Sequence, residues 1–386
     1  MRLAYDHQIF CLQKVGGISR YFCKLTEQLH NLDQTIGVFA PFYRNQYLSN
    51  LSAQWVHGRK VLDYPKWSAD LSVALNGYIS RRRLTAWRPD VVHETYFSKV
   101  PSALIHLPNV VTVFDMIDEL GLTGDHLAAS EFKNTNKYAA VQRASHVVCI
   151  SEHTRQDLIQ FFGIKEEKIT TIHLGCDQSA MPEADCDPDN DHGASVDHAP
   201  LNLKPYLLYV GTRNNYKNFF GLLRGVSAAA RLKNSFNIIA FGGGAFTSAE
   251  ERAMSDLMFS PDQIQQINGD DFLLAKLYRG ASALVYPSIY EGFGLPPLEA
   301  MSNRCPVVSS NTSSMPEIIG DAAEFFDPAY TDSMVSAIEN VVFSTQRRQE
   351  LISKGIHRVK LFTWKSCAEK HLDLYRSMSA RIEIIE

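Results

Sequence analysis

The chain has 386 residues, 45% hydrophobic and 21% charged, a size and composition that suit two soluble globular domains with full cores. A formal net charge of −4 argues against a protein that holds nucleic acid by phosphate attraction. No run approaches the roughly 18–20 apolar residues of a membrane span, and "MRLAYDHQIF" lacks the apolar core of a signal peptide, so a cytoplasmic protein is expected.

In chain order, "KVGGISRYFCKL" places Gly16 and Gly17 directly before an apolar-periodic helix, a position for close backbone approach to phosphate or for a plain turn. Residues 1–100 carry 13 Lys and Arg against 7 Asp and Glu, densest at Arg81, Arg82 and Arg83. That cluster reads as a solvated surface turn or as peripheral contact with an anionic membrane, where each cation contributes ~1 kcal/mol. "VVH" near 91, "VVTVF" at 110–114, "HVVCI" at 146–150 and "KITTIH" at 168–173 read as buried strands. "SEHTRQDLIQFFG" reads as a helix capped by Ser151, with Leu158, Ile159, Phe161 and Phe162 on a broad apolar side.

Residues 178–200 break this rhythm with proline, aspartate, glycine and histidine, and read as an exposed linker in preference to a metal site. Strand and helix then alternate again through "YLLYVG", "FNIIAFGG", "QIQQI", "ALVYP" and "PVVSS". Within 216–232, Phe219, Leu222, Leu223, Val226 and Ala230 mark one buried helix face. Two such blocks predict an α/β protein of two doubly wound domains. The expected bounds are 1–177, a linker at 178–204, 205–363, and a closing helix at 364–386. The seven cysteines lack any C-x-x-C spacing and are expected as reduced thiols, with no zinc site.

Open parallel sheets bind ligands beyond the carboxyl ends of their strands. In "YPSIYEGFGLPPLEAMSN", Gly292 and Gly294 permit positive φ, and Pro296 and Pro297 suit the first turn of a helix. Backbone N–H groups at 292–295 would face an anion, with Glu291 in the loop and Glu299 one turn into the helix. After the first strand of the second block, "YVGTRNNYKNF" puts Arg213 and Lys217 four apart, where two cations can neutralise a diphosphate without a metal.

These stretches resemble the retaining glycosyltransferases of family 4, over nearly the whole chain and least at 40–85 and 178–200. The resemblance implies the GT-B architecture, two Rossmann-like domains facing a cleft, and a hexosyltransferase acting on a nucleoside-diphosphate sugar. It implies that Glu291 touches the donor sugar, Glu299 holds the ribose, and Phe293, Gly294 and Leu295 present backbone N–H groups. Arg213 and Lys217 would stabilise the leaving diphosphate, Gly16 and Gly17 would approach its phosphates, and "NGDDF" at 268–272 would cradle the base. Phe114 stands where many family members carry histidine; Asp115 is the candidate to orient or deprotonate the acceptor, or a structural residue, with His93 and Tyr96 nearby in the family pattern. His93 reads first as a core residue, and Trp364 and Tyr375 as packing anchors of the closing helix. "EGFGLP" is most similar to members using GDP-mannose, with UDP-sugars as the alternative, and the implied acceptor is a growing lipid-linked or surface polysaccharide such as lipopolysaccharide. No cofactor is required. A glycoside hydrolase using Glu291 and Glu299, or a non-catalytic nucleotide-sugar binder, are the rival readings.

Overall fold

The structure is a computed structural model describing residues 1–62, 64, 69–102, 107–122, 131–177, 204–213 and 215–383. Two compact units are present: Met1–Gly121, Asp125–Gly175 and Trp364–Glu386 form the first, and Cys176–Thr363 forms the body of the second. The expected linker, apart from Lys204, lies outside the described residues.

The first unit holds strands β1 (Arg2–Tyr5), β2 (Thr35–Val38), β3 (Phe42–Tyr43), β4 (Arg59–Lys60), β5 (Val91–Glu94), β6 (Asn109–Val113), β7 (His146–Cys149) and β8 (Ile169–Thr171). Six of them form one parallel sheet in the order β2-β1-β5-β6-β7-β8, while β3 and β4 pair separately. All five residues of β6 are buried, as a parallel strand covered on both faces demands. Ser151 caps helix Glu152–Phe162 by accepting from the Thr154 N–H at 3.1 Å, and Gly163 ends it at φ 62°.

The closing helix, Trp364–Glu383, packs on helix Gly17–Asn31 within this unit. A Cβ at Gly175 would lie 2.4 Å from the Trp364 backbone nitrogen, so glycine is what lets the two chain segments meet. Tyr375 is buried and bonds His93 Nδ1 at 2.7 Å, while His93 Nε2 meets Thr112 Oγ1 at 2.8 Å. Tyr21 Oη meets His371 Nε2 at 2.8 Å in the same network. Burial holds both histidines below their ordinary pKa, His371 at about 4. His93 is therefore a neutral, structural group.

The second unit holds β9 (Tyr206–Val210), β10 (Asn237–Phe241), β11 (Ile264–Ile267), β12 (Ala283–Tyr286), β13 (Val307–Ser310) and β14 (Ala323–Phe326). Their parallel order, β11-β10-β9-β12-β13-β14, is the 3-2-1-4-5-6 order of doubly wound sheets. Phe219, Leu222, Leu223 and Val226 pack onto its strands.

Two local expectations are corrected. The helix read across 216–232 runs only Phe219–Ala228; Ala229 is extended and a second short helix, Ala230–Ser235, follows. Ala230 is exposed: consecutive alanines carry too little apolar area to hold it to the buried face. Arg81–Arg83 lie within helix Ala69–Trp87, not in a turn. Arg82 there bonds Tyr78 Oη and Arg83 bonds the His57 carbonyl. The six described cysteines are buried free thiols.

Candidate active site

In the second sheet the chain runs one way from β9 to β10 and β11, then returns to β12, so the switch point lies between β9 and β12. Ligands of doubly wound sheets settle outside the carboxyl ends of such a pair. The turn Asn215–Lys217 follows β9, and the glutamate loop follows β12. Ile289 N–H donates to the Tyr216 carbonyl at 2.7 Å, tying the two loops together. Across them, Lys217 Nζ lies 2.6 Å from Glu291 Oε1, with side chains only 15% and 10% exposed. Lys217 also lies 5.7 Å from the centre of the Tyr286 ring. Burial and the Glu291 carboxylate push the Tyr286 phenol far up, which keeps it neutral.

The loop leading into helix Leu295–Ser302 is set by its neighbours. Glu291 N–H donates to Ser313 Oγ at 2.8 Å, and Ser314 Oγ donates to the carbonyls of Glu291 (2.8 Å) and Phe293 (2.9 Å). The Phe293 ring is buried edge-on against Phe362, with ring centres 5.8 Å apart. Gly294 takes φ 106°, and a Cβ there would meet Met315 Cε at 2.7 Å. Pro296 and Pro297 have no N–H to offer, so the first-turn donors of this helix reduce to Gly294 and Leu295. Glu299 is half-buried and accepts from Tyr278 Oη at 3.2 Å.

Arg213 is placed differently from Lys217. Its Nε donates to Glu250 at 2.5 Å, and its two terminal nitrogens donate to the carbonyls of Gly242, Gly244 and Ala245 at 2.9 Å. Burial alone would raise the Glu250 carboxyl, but Arg213 and the Thr247 donors outweigh it and hold it below its ordinary value. Glu250 and the Gly242–Gly244 run, all at positive φ, are partners that the sequence reading missed. The glycine run after β10 was the available signal. In "NGDDF", Asp270 caps helix Asp271–Gly280, and Phe272 stands 68% exposed beside Lys276.

The first unit holds the remaining candidates. Gly16 precedes helix Gly17–Asn31, and a Cβ on Gly17 would find nothing within 4 Å. Asp115, half-buried, accepts from Ile117 N–H at 3.2 Å, and its carbonyl accepts from Lys137 Nζ at 3.2 Å. Lys137 in turn pairs with buried Glu119 at 2.6 Å. Burial raises the Tyr96 phenol, Lys137 opposes it, and Asp115 adds to the rise. Phe114 meets Tyr21 edge-on at 5.4 Å. Among the described residues no set of three or more His, Cys, Asp or Glu gathers as metal ligands, and no helix is long and apolar enough to cross a membrane.

Two family models match this chain: Glycosyltransferase Family 4 over residues 15–180 and Glycosyl transferases group 1 over residues 196–358. The chain belongs to the family 4-like glycosyltransferases. Among curated relatives, O-antigen chain mannosyltransferase B of Escherichia coli is 29% identical over 62% of this chain and 62% of its own. O-antigen chain mannosyltransferase RfbU of Salmonella typhimurium is 28% identical over 52% of each. The chain thus spans only 62% and 52% of these relatives' lengths. HepE of Anabaena, solved in complex with UDP and glucose, superposes with a TM-score of 0.70 at 14% identity, covering 97% of this chain and 99% of its own. That likeness shows the fold, two Rossmann-like domains of the GT-B class.

Proposed function

We propose that this protein transfers a sugar from a nucleoside diphosphate to a hydroxyl of a glycan acceptor, with retained anomeric configuration. The Lys217–Glu291 pair carries this reading, because it sits at the switch point of the second sheet beside the glycine turn into helix Leu295–Ser302. The bond from anomeric carbon to diphosphate oxygen breaks as the acceptor oxygen bonds to the same face of that carbon. The acceptor proton leaves on the diphosphate. Charge grows on the departing group, and Lys217 with the N–H groups of Gly294 and Leu295 meets it, an interaction strongest in the transition state. Arg213 joins by exchanging its carbonyl partners for phosphate oxygens. Glu291, released from Lys217, takes the sugar hydroxyls, and Glu299 takes the ribose.

In the first unit, the open backbone at Gly17 suits a phosphate and Asp115 orients the acceptor hydroxyl. With cations in place of a metal, the reaction calls for no cofactor. Mannosyltransferase relatives support GDP-mannose as donor, and the HepE complex keeps UDP-glucose as the second candidate. The O-antigen relatives support a surface or lipid-linked polysaccharide acceptor, and exposed Arg82 and Arg83 support peripheral contact with an anionic cytoplasmic membrane face.

Thermal stabilisation by a panel of nucleotide sugars tests the reading. The preferred donor at 100 times its Kd adds ~2.7 kcal/mol. A panel containing GDP-mannose and UDP-glucose in which no member shifts the melting temperature overturns it.

A further inference from the structure

The first sheet has its own switch point, between β1 and β5, since the chain goes from β1 to β2 on one side and returns to β5 on the other. The segment Asp6, His7, Gln8 follows β1 there, and Thr95 follows β5. Asp6 and Gln8 are committed to the protein. Asp6 accepts from Thr95 N–H at 2.9 Å, Gln8 Nε2 at 2.6 Å, and Ser102 Oγ. These bonds clasp the β1 and β5 loops together.

His7, between them, is 7% exposed, yet its Nδ1 is buried and finds no hydrogen-bond partner among the described residues. Buried polar atoms are nearly always paired, so such an orphan at a ligand-binding edge asks for an absent partner. A second feature lies against the same ring. Helix Ala69–Trp87 places Gly77 opposite the His7 Cε1–Nε2 edge, where a Cβ would sit 3.7 Å from both atoms. The helix therefore packs on the Cε1–Nε2 edge of the imidazole, while Nδ1 lies more than 4 Å from that position. Burial lowers the His7 pKa against the opposing pull of Asp6. The ring is neutral near pH 7, with one nitrogen free to accept and the other to donate.

We propose that His7 is an acceptor-binding residue: its orphaned Nδ1, at the clasped ends of β1 and β5, hydrogen-bonds a hydroxyl of the sugar acceptor on the first unit. This rests on the transferase reading above and adds to it the group that recognises the acceptor.

The test uses the full chain with GDP-mannose or UDP-glucose, whichever stabilises it more, and octyl α-D-mannopyranoside as acceptor. His7→Leu is expected to keep donor-induced thermal stabilisation while the KM for the acceptor rises at least tenfold. His7→Asn, whose amide places a polar atom near the Nδ1 position, recovers most of that loss. His7→Gln, whose longer amide reaches toward the Nε2 position and not Nδ1, keeps the raised acceptor KM. An unchanged acceptor KM in His7→Leu or in His7→Gln overturns the proposal, as does equal loss of donor and acceptor binding in His7→Leu. Should His7→Leu not fold, His7→Gln decides. Wild type that binds neither donor defeats the transferase reading and this inference with it. Wild type that binds donor but transfers to no such hydroxyl defeats this inference alone.

Discussion

Glycine does two different jobs in the turns that open helix Gly17–Asn31 and helix Leu295–Ser302. At the first, Gly16 has φ 173°, an extended backbone any residue adopts, and what a side chain would meet is Gln13, 2.3 Å away. Gly17 beside it faces open space. At the second, Gly294 sits at φ 106° with Met315 against it, so both conformation and room require glycine. The surroundings differ in the same way. Ser313 and Ser314 fix the second loop with four hydrogen bonds to residues 291 and 293, whereas at the first turn Ser19 donates from its N–H to Gln13 Oε1 at 3.2 Å and from its Oγ to the Gly16 carbonyl at 2.9 Å. One turn is a preset cradle and the other a clearance.

If the second cradle is the seat of charge stabilisation, Lys217→Ala gives the largest effect. Turnover falls by about 10²–10³, the usual result of removing a preorganised donor. Glu291 is also left buried without its cation, which costs about 3–5 kcal/mol of stability. Lys217→Ala combined with Glu291→Gln regains the stability but not the rate. Steady-state kinetics and urea unfolding read the two separately, and turnover within threefold of wild type removes Lys217 from the reaction. Next in size, Gly294→Ala forces a side chain into a left-handed position and toward Met315, for a loss of about 1–3 kcal/mol. A urea midpoint unmoved by Gly294→Ala erases the contrast between the two turns.

What could be read from the chain itself was whatever repeats locally. Strands such as "VVTVF" and "ALVY" announce themselves because both faces of a parallel strand are apolar. Pro296 and Pro297 announce the helix start they occupy, and Ser151 its cap. Partners distant in sequence have no such period. Glu250 stands 37 positions from Arg213 and reads alone as the capping-box glutamate of Thr247. Ser313 and Ser314 look like an ordinary polar turn until they are seen holding Glu291 and Phe293. His93 and His371 come from segments 278 positions apart, and their burial together against Tyr375 decides that they are structural.

Gly17→Ala is the finest probe of the contrast, because it should barely disturb the fold. The added methyl group meets nothing within 4 Å, and alanine favours a helix over glycine by about 0.5–1 kcal/mol. The melting temperature therefore holds or rises slightly. Donor affinity should nevertheless weaken several-fold, since the methyl occupies the space a phosphate needs to reach the backbone at the helix start. Titration of the donor against Gly17→Ala and Gly294→Ala separates the two roles: the first loses affinity without stability, the second loses stability. Were Gly17→Ala to bind donor as wild type does, the open space at Gly17 would be a property of the helix start alone, and phosphate contact would fall to the second unit's turn.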